Sequence, residues 1–148
     1  MYEKILVPLD GSSRAEAILP HVERIAQMNH STVIFLRVLR PVVAGDGYKS
    51  ILLDQTEAEN KRRSEDAMAY LAGVCGEFRE KGIDARKMVE IGPVVKTIIY
   101  VAYRENVDLI AIASHGRTGI PRVFYGSTAA GVINQADRPL LVIRARKG

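Results

Sequence analysis

Short apolar runs alternate with amphipathic helical patterns along the whole chain of 148 residues. The runs cover residues 5–9, 32–39, 85–91, 109–113 and 140–143. Four of them are nearly continuous in apolar residues, as strands buried on both faces of a parallel sheet are. The run at 85–91 is broken by Arg86, Lys87 and Glu90, which predicts an edge strand. Between the runs, the pattern predicts four helices. The first begins at Ser13 with Glu16 three residues on, the spacing of a capping box. Ile18, Val22, Ile25 and Ala26 follow as one stripe, with Pro20 predicting a kink. The second helix spans about 55–81, burying Met68, Leu71, Ala72, Cys75 and Phe78 and ending at Gly82 in a left-handed cap. The third opens on Gly92-Pro93, with proline at the first helical position and a stripe of Val95, Ile98, Ile99 and Ala102. The fourth runs from near Gly126 to near Ala136.

Five strands alternating with four helices predict a single-domain α/β fold with a doubly wound, five-stranded parallel sheet, Rossmann-like, in strand order 3-2-1-4-5. Ligands of such sheets bind beyond the carboxyl ends of the strands, where strand order reverses. In this order the loops at Asp10-Gly11-Ser12 and Ser114-His115-Gly116 flank the reversal. The last strand, Leu140-Leu141-Val142-Ile143, is an apolar edge, which invites pairing with another copy. A homodimer through residues 140–143 is expected. The alternative is a monomer whose Arg144 and Arg146 guard that edge.

Composition narrows the class. No apolar stretch approaches the length of a membrane span, and the opening run is too short and too strand-like for a signal peptide. The single cysteine, Cys75, builds neither a disulfide framework nor a thiolate cluster. A cytoplasmic protein without a membrane partner is expected. The net charge is +4, and from residue 113 onward six basic residues stand against one acid, Asp137. The basic excess therefore coincides with the loop after the fourth strand, where it favours a phosphorylated ligand. Nucleic acid is not an expected partner, because six tyrosines and three phenylalanines form no stacking motif and no helix-turn-helix pattern stands out.

The candidate chemistry lies in residues 114–128. Gly116 and Gly119 let a ligand approach the backbone. Gly126, Ser127 and Thr128 fall at a helix N-terminus, where free N–H groups and the dipole favour an anion. Those hydroxyls serve equally as helix caps. Neither a Walker A loop nor a G-x-G-x-x-G fingerprint is present. Asp10 ends the first strand on the same rim, either as a hydrogen-bond acceptor for a nucleotide or as an Asx-type turn. Arg117 and Arg122 are candidates to pair with phosphate oxygens. His115 has no partner carboxylate in sequence reach, and His21 and His30 lie at no ligating spacing. No catalytic residue and no metal site is assigned.

The chain resembles the universal stress protein (UspA) family across essentially its whole length, and in particular its nucleotide-binding branch. The resemblance rests on Lys4-Ile5-Leu6-Val7-Pro8-Leu9-Asp10-Gly11-Ser12-Ser13, on Leu36-Arg37-Val38, on Ser114-His115-Gly116-Arg117-Thr118-Gly119 with Gly126-Ser127-Thr128, and on Asp137-Arg138-Pro139-Leu140-Leu141-Val142-Ile143. That branch is marked by G-x-x-G-x9-G-[ST]. Gly116, Gly126 and Ser127 fill its later positions, and Ala113 stands where the first glycine belongs.

The resemblance implies one universal stress protein domain over residues 1–148 that binds ATP, with Mg²⁺ held through the phosphates. It implies that Pro8, Leu9, Asp10 and Val38 contact adenine and ribose above Ile112 and Ala113. Gly116, Arg117, Gly119, Gly126, Ser127, Thr128 and Ala129 would surround ribose and phosphates. Dimerisation through the last strand, a regulatory or sensor role and at most slow ATP hydrolysis are also implied. Branches without the complete motif do not bind ATP, so Ala113 keeps a nucleotide-free interaction module as the alternative.

Overall fold

A computed structural model describes residues 1–41, 49–115 and 126–145. Five parallel strands form one sheet in the order β3-β2-β1-β4-β5. They are β1 (Lys4–Pro8), β2 (Thr32–Leu39), β3 (Asp84–Ile91), β4 (Leu109–His115) and β5 (Leu140–Ala145). The helices are α1 (Ser13–Glu16), α2 (Leu19–Asn29), α3 (Lys49–Glu80), α4 (Val94–Arg104) and α5 (Gly126–Gln135). The fold class and strand order are those expected from the pattern, with β3 as the solvated edge.

Two apolar cores cover the two sheet faces because successive strand residues point to opposite sides. Ile5, Val7, Val33 and Phe35 pack with α1, α2 and α3, while Leu6, Ile34, Leu36, Ile110 and Ile112 pack with α4 and α5. In the first core, Phe35 and Phe78 meet edge to face with centroids 4.9 Å apart. Cys75 is fully buried there. Burial, opposed only weakly by the Arg79 and Lys87 charges, raises its thiol pKa.

Local expectations are adjusted by a residue or two where caps decide the boundary. The first helix breaks after Glu16, and Pro20 lies in the first turn of α2, where its missing N–H costs nothing. Ser12, not Ser13, caps α1, its hydroxyl accepting from the Ala15 N–H at 3.1 Å. Glu16 is therefore not a capping-box partner and instead accepts the Tyr70 hydroxyl of α3 at 2.8 Å. Pro93 is the cap of α4 rather than its first residue. Gly82 ends the loop after α3 at φ +79°, the left-handed conformation expected.

α3 begins at Lys49, six residues earlier than the periodicity indicates. Its buried stripe is Ala67, Leu71, Val74, Cys75 and Phe78. Met68 and Ala72 are exposed, contrary to expectation. Each follows a stripe residue by one position and so sits about 100° round the helix.

The second face relies on a close helix crossing. A Cβ added at Gly131 of α5 would lie 2.7 Å from Cγ2 and 3.1 Å from Cγ1 of Val95 on α4. Valine has one strongly preferred rotamer in a helix and cannot swing aside. Gly131→Ala gains helix propensity of about 1 kcal/mol but meets an overpacking penalty of about 1–3 kcal/mol. The expected net result is a lower urea midpoint with an unchanged slope. A raised midpoint would show that α4 yields.

Candidate functional site

The site follows from how β1 and β4 part. Their pairing comprises Ile5 with Leu109 and Leu6 with Ile110, whereas β1 and β2 stay paired to Pro8 and Leu36. Beyond Ile110 a crevice opens at the carboxyl rim, where strand order reverses. It is a cavity of about 340 Å³.

The expected site residues enter its lining from four places. β1 and the following turn supply Pro8, Leu9 and Asp10, and the end of β2 supplies Val38. β4 supplies Ile112 and Ala113, and the start of α5 supplies Gly126, Ser127, Thr128 and Ala129. Every expected site residue among the described ones thus faces one cavity. Gly116, Arg117 and Gly119 lie outside the described residues, as do Arg122, Arg146 and Lys147.

Apolar side chains form the cavity's floor, with Val38, Ile98 and Ile112 all belonging to the α4–α5 core. On one side stands the α5 N-terminus. Gly126 opens it at φ +78°, a conformation that disfavours any side chain, and Ser127 is exposed beside it.

Asp10 lines the cavity from the turn after β1. Its carboxylate accepts from the Ser12 N–H at 2.9 Å and from the Ser12 hydroxyl, so the Asx-type turn is formed. It also pairs with Arg14 at 3.0 Å. Partial burial opposes its charge, but the two Ser12 hydrogen bonds, with Arg14 and Arg37 behind them, outweigh burial and hold its pKa below 3.8. A carboxyl with a lowered folded pKa stabilises the fold above its unfolded value and stops doing so as pH falls through the folded value. Stability should therefore be insensitive to Asp10 between neutrality and about pH 4. Below that, acid titration of wild type against Asp10→Asn should show a steeper loss in wild type. Parallel curves would remove Asp10 from the acid response. Its side chain is 44% exposed, so solvent screening keeps the effect modest.

Arg14 is a site residue that sequence reasoning missed. Besides gripping Asp10, it donates to the Ala113 carbonyl at 3.2 Å and so spans the gap between the β1 and β4 rims. Its spacing of four from Asp10 was the available signal. Arg37, Arg40 and Arg63 also line the cavity. The first two flank Val38-Leu39 in sequence. Arg63 comes from α3, and only the packing of that helix brings it to the rim.

Ala113 has ordinary strand backbone. It pairs with Ile143, and the described non-glycine residues with positive φ are Tyr2, His30 and Asn106. Its methyl packs in the core on the α1–α3 face. A glycine here is therefore not required by backbone conformation. Ala113→Gly should lower stability by about 0.5–1 kcal/mol through strand entropy while leaving ligand affinity within about threefold, or ~0.6 kcal/mol. A much larger gain in affinity would show that the methyl obstructs the site.

Ser114 and His115 continue β4, opposite Arg144 and Ala145, instead of starting the loop as expected. The Ser114 hydroxyl is buried and donates to the Ile143 carbonyl at 3.2 Å. Arg138 is likewise engaged, donating to the carbonyls of Ala102 and Val107 at 3.0 and 2.8 Å. It anchors the end of α4 and stands apart from the residues lining the cavity. Among the described residues, no group of three or more His, Cys, Asp or Glu could hold a metal ion. No helix there is long and apolar enough to cross a membrane.

The fold and this rim define a class. The chain belongs to the universal stress protein family, which matches residues 1–144. It is similar to the universal stress protein MJ0577 of Methanocaldococcus jannaschii, at 29% identity over 157 aligned residues covering 99% of this chain and 97% of the relative. The solved structure of MJ0577 superimposes with a TM-score of 0.83 at 26% identity, covering 100% and 99% of the two chains. The Archaeoglobus fulgidus universal stress protein solved in complex with dAMP shares the fold at 21% identity and a TM-score of 0.65, covering 96% of this chain and 98% of that one. A universal stress protein solved in complex with cAMP does so at 16% identity and 0.69, covering 98% of each.

Proposed function

We propose that this chain binds an adenine nucleotide, ATP with Mg²⁺ carried on its phosphates, and works as a dimeric regulator or sensor in the cytoplasm. The observation that carries the reading is the cavity at the strand-order reversal. It combines an apolar floor, a polar group at Asp10 and a helix N-terminus with two hydroxyl residues. A planar base suits the floor, and phosphates suit the α5 N-terminus. Two proteins of this fold were solved with dAMP and with cAMP, which is a precedent for the ligand class in the fold.

Hydrolysis is slow at most in this reading. Rapid phosphoryl transfer needs charge clamps and a group to orient the nucleophile. Among the described residues Asp10 is the one carboxylate lining the cavity, and it is already engaged by Ser12 and Arg14, so no free acid there orients a nucleophile. Dimerisation would use β5, which pairs with β4 on one side and is an edge of the sheet on the other. Leu140, Leu141, Val142 and Ile143 there are only half-buried.

Calorimetric titration with ATP in the presence of Mg²⁺ tests the reading. Binding tighter than about 1 mM, or ~4 kcal/mol, supports it. Weaker binding, together with purified protein free of nucleotide, overturns it. The chain has no tryptophan, so a co-purified adenine would dominate the ultraviolet spectrum near its own maximum. Sedimentation as a monomer would overturn the dimer.

A further inference from the structure

Three arginines on the cavity's other side are not used by the nucleotide reading. Arg37 lies on β2, Arg40 just beyond it, and Arg63 on α3. All three line the cavity. Arg63 reaches the strand end by donating to the Arg40 carbonyl at 2.7 Å, and Arg37 donates to the Val38 carbonyl at 3.3 Å. Their guanidinium groups are thus gathered round the exit of β2.

None of the three makes a salt bridge among the described residues, unlike Arg14, Arg62, Arg104 and Arg138. Each guanidinium carries five N–H donors in a planar fork. The bonds to Val38, Arg40 and Asn60 occupy only part of that capacity. Among the described residues lining the cavity, Asp10 is the one carboxylate, paired with Arg14 and acted on by Arg37, and it stands against four arginines, so the balance there is positive. Like charges held at a concave apolar rim repel one another and focus a field that an anion relieves.

The α5 N-terminus stands across the cavity. β2 and β4 are both neighbours of β1, so their ends lie about 10 Å apart, two strand spacings. One nucleoside spans that distance. A phosphate chain seated at Gly126–Thr128 leaves the arginine side free for a second anionic group. We infer that Arg37, Arg40 and Arg63 form a second phosphate subsite, and that the preferred ligand is an adenine nucleotide with a separate phosphate on its ribose. This rests on the nucleotide-binding reading and specifies its ligand class.

Calorimetry with the full chain distinguishes the two. ADP and adenosine 3′,5′-bisphosphate both carry two phosphates, in one chain or at two places, and the 2′,5′ isomer provides a second geometry. One of the bisphosphates should bind at least about tenfold more tightly than ADP, the factor expected of one additional charge-assisted contact. In the double variant Arg40→Gln/Arg63→Gln that preference should fall below about threefold, the favoured bisphosphate losing more affinity than ADP does. Arg63→Lys, which keeps charge but loses the fork, should give an intermediate preference. Arg40 is exposed and Arg63 half-buried, and circular dichroism should show an intact fold. Equal binding of ADP and both bisphosphates by wild type, or a preference that survives the double variant, overturns the second subsite alone. Failure of every adenine nucleotide to bind overturns the nucleotide reading and the subsite with it.

Discussion

Ser127→Glu is expected to abolish measurable nucleotide binding while leaving the protein folded and no less stable. Ser127 is exposed in the first turn of α5 and lines the cavity. A carboxylate at that position interacts favourably with the helix dipole, by about 0.3–1 kcal/mol. The same charge would occupy the space a phosphate needs and would repel it at contact distance. Even at an effective dielectric of about 20, two unit charges about 4 Å apart repel by ~4 kcal/mol, close to a thousandfold in affinity. The two effects have opposite signs, and that makes the variant informative. Thermal melting without ligand should match or exceed wild type, whereas ATP should no longer raise the midpoint. Ser127→Ala serves as the control, losing one hydroxyl contact and about 1 kcal/mol of affinity. If Ser127→Glu binds ATP as wild type does, the phosphates do not lie at the α5 N-terminus.

The sheet was legible because strands buried on both faces have nowhere to place polar residues. Residues 5–7 and 33–36 are all buried, and that leaves an uninterrupted apolar run in the sequence. The edge strand was legible for the converse reason, since Arg86, Lys87 and Glu90 require solvent. Helix boundaries were less visible. Ser12 and Ser13 are chemically equivalent as caps, and the choice falls to Ser12 because Gly11, at φ +85°, turns the chain there. The misplaced burial of Met68 and Ala72 has a similar origin. On a long helix rich in charge and alanine, apolar residues one position apart compete for the same stripe, and only the sheet's position selects between them.

The candidate site was legible where it depends on backbone. The turn after β1 and the start of α5 announce themselves by glycine, hydroxyl and carboxylate residues at strand ends. Its cationic components were not. Arg63 is more than fifty residues in sequence from Asp10, and nothing in a run of charges along α3 singles it out from Arg62, which pairs with Glu59 at 2.6 Å. Arg14 was not singled out because its acceptor on β4, the Ala113 carbonyl, is a backbone group 99 residues away. The doubt that Ala113 raised also needed the structure. A missing glycine has two meanings, lost backbone freedom or lost space, and the strand pairing at Ala113 removes the first.

Phe35→Ala is expected to cost about 3–5 kcal/mol, the range for deleting a fully buried aromatic side chain. Phe35 has no exposed surface, pairs with Val7 and Lys87 on the flanking strands, and packs edge-on against Phe78 of α3. Truncation leaves a cavity between a central strand and the longest helix, and neither element can close it without leaving the sheet. Domains of this size have only about 5–15 kcal/mol of stability in total, so a large fraction is lost and the thermal midpoint falls by well over 5 °C. Phe35 points to the α3 face in mid-strand, whereas the cavity's floor belongs to the opposite face. The binding rim should therefore survive in whatever fraction remains folded. Saturating ATP at about a hundred times its dissociation constant adds about 2.7 kcal/mol to any folded state that binds it. The variant's stability should consequently rise with ATP by about as many kcal/mol as wild type's does, seen as a raised midpoint. A variant that melts low and does not respond to ATP would show that the Phe35–Phe78 contact also shapes the rim, through the α3 helix that carries Arg63.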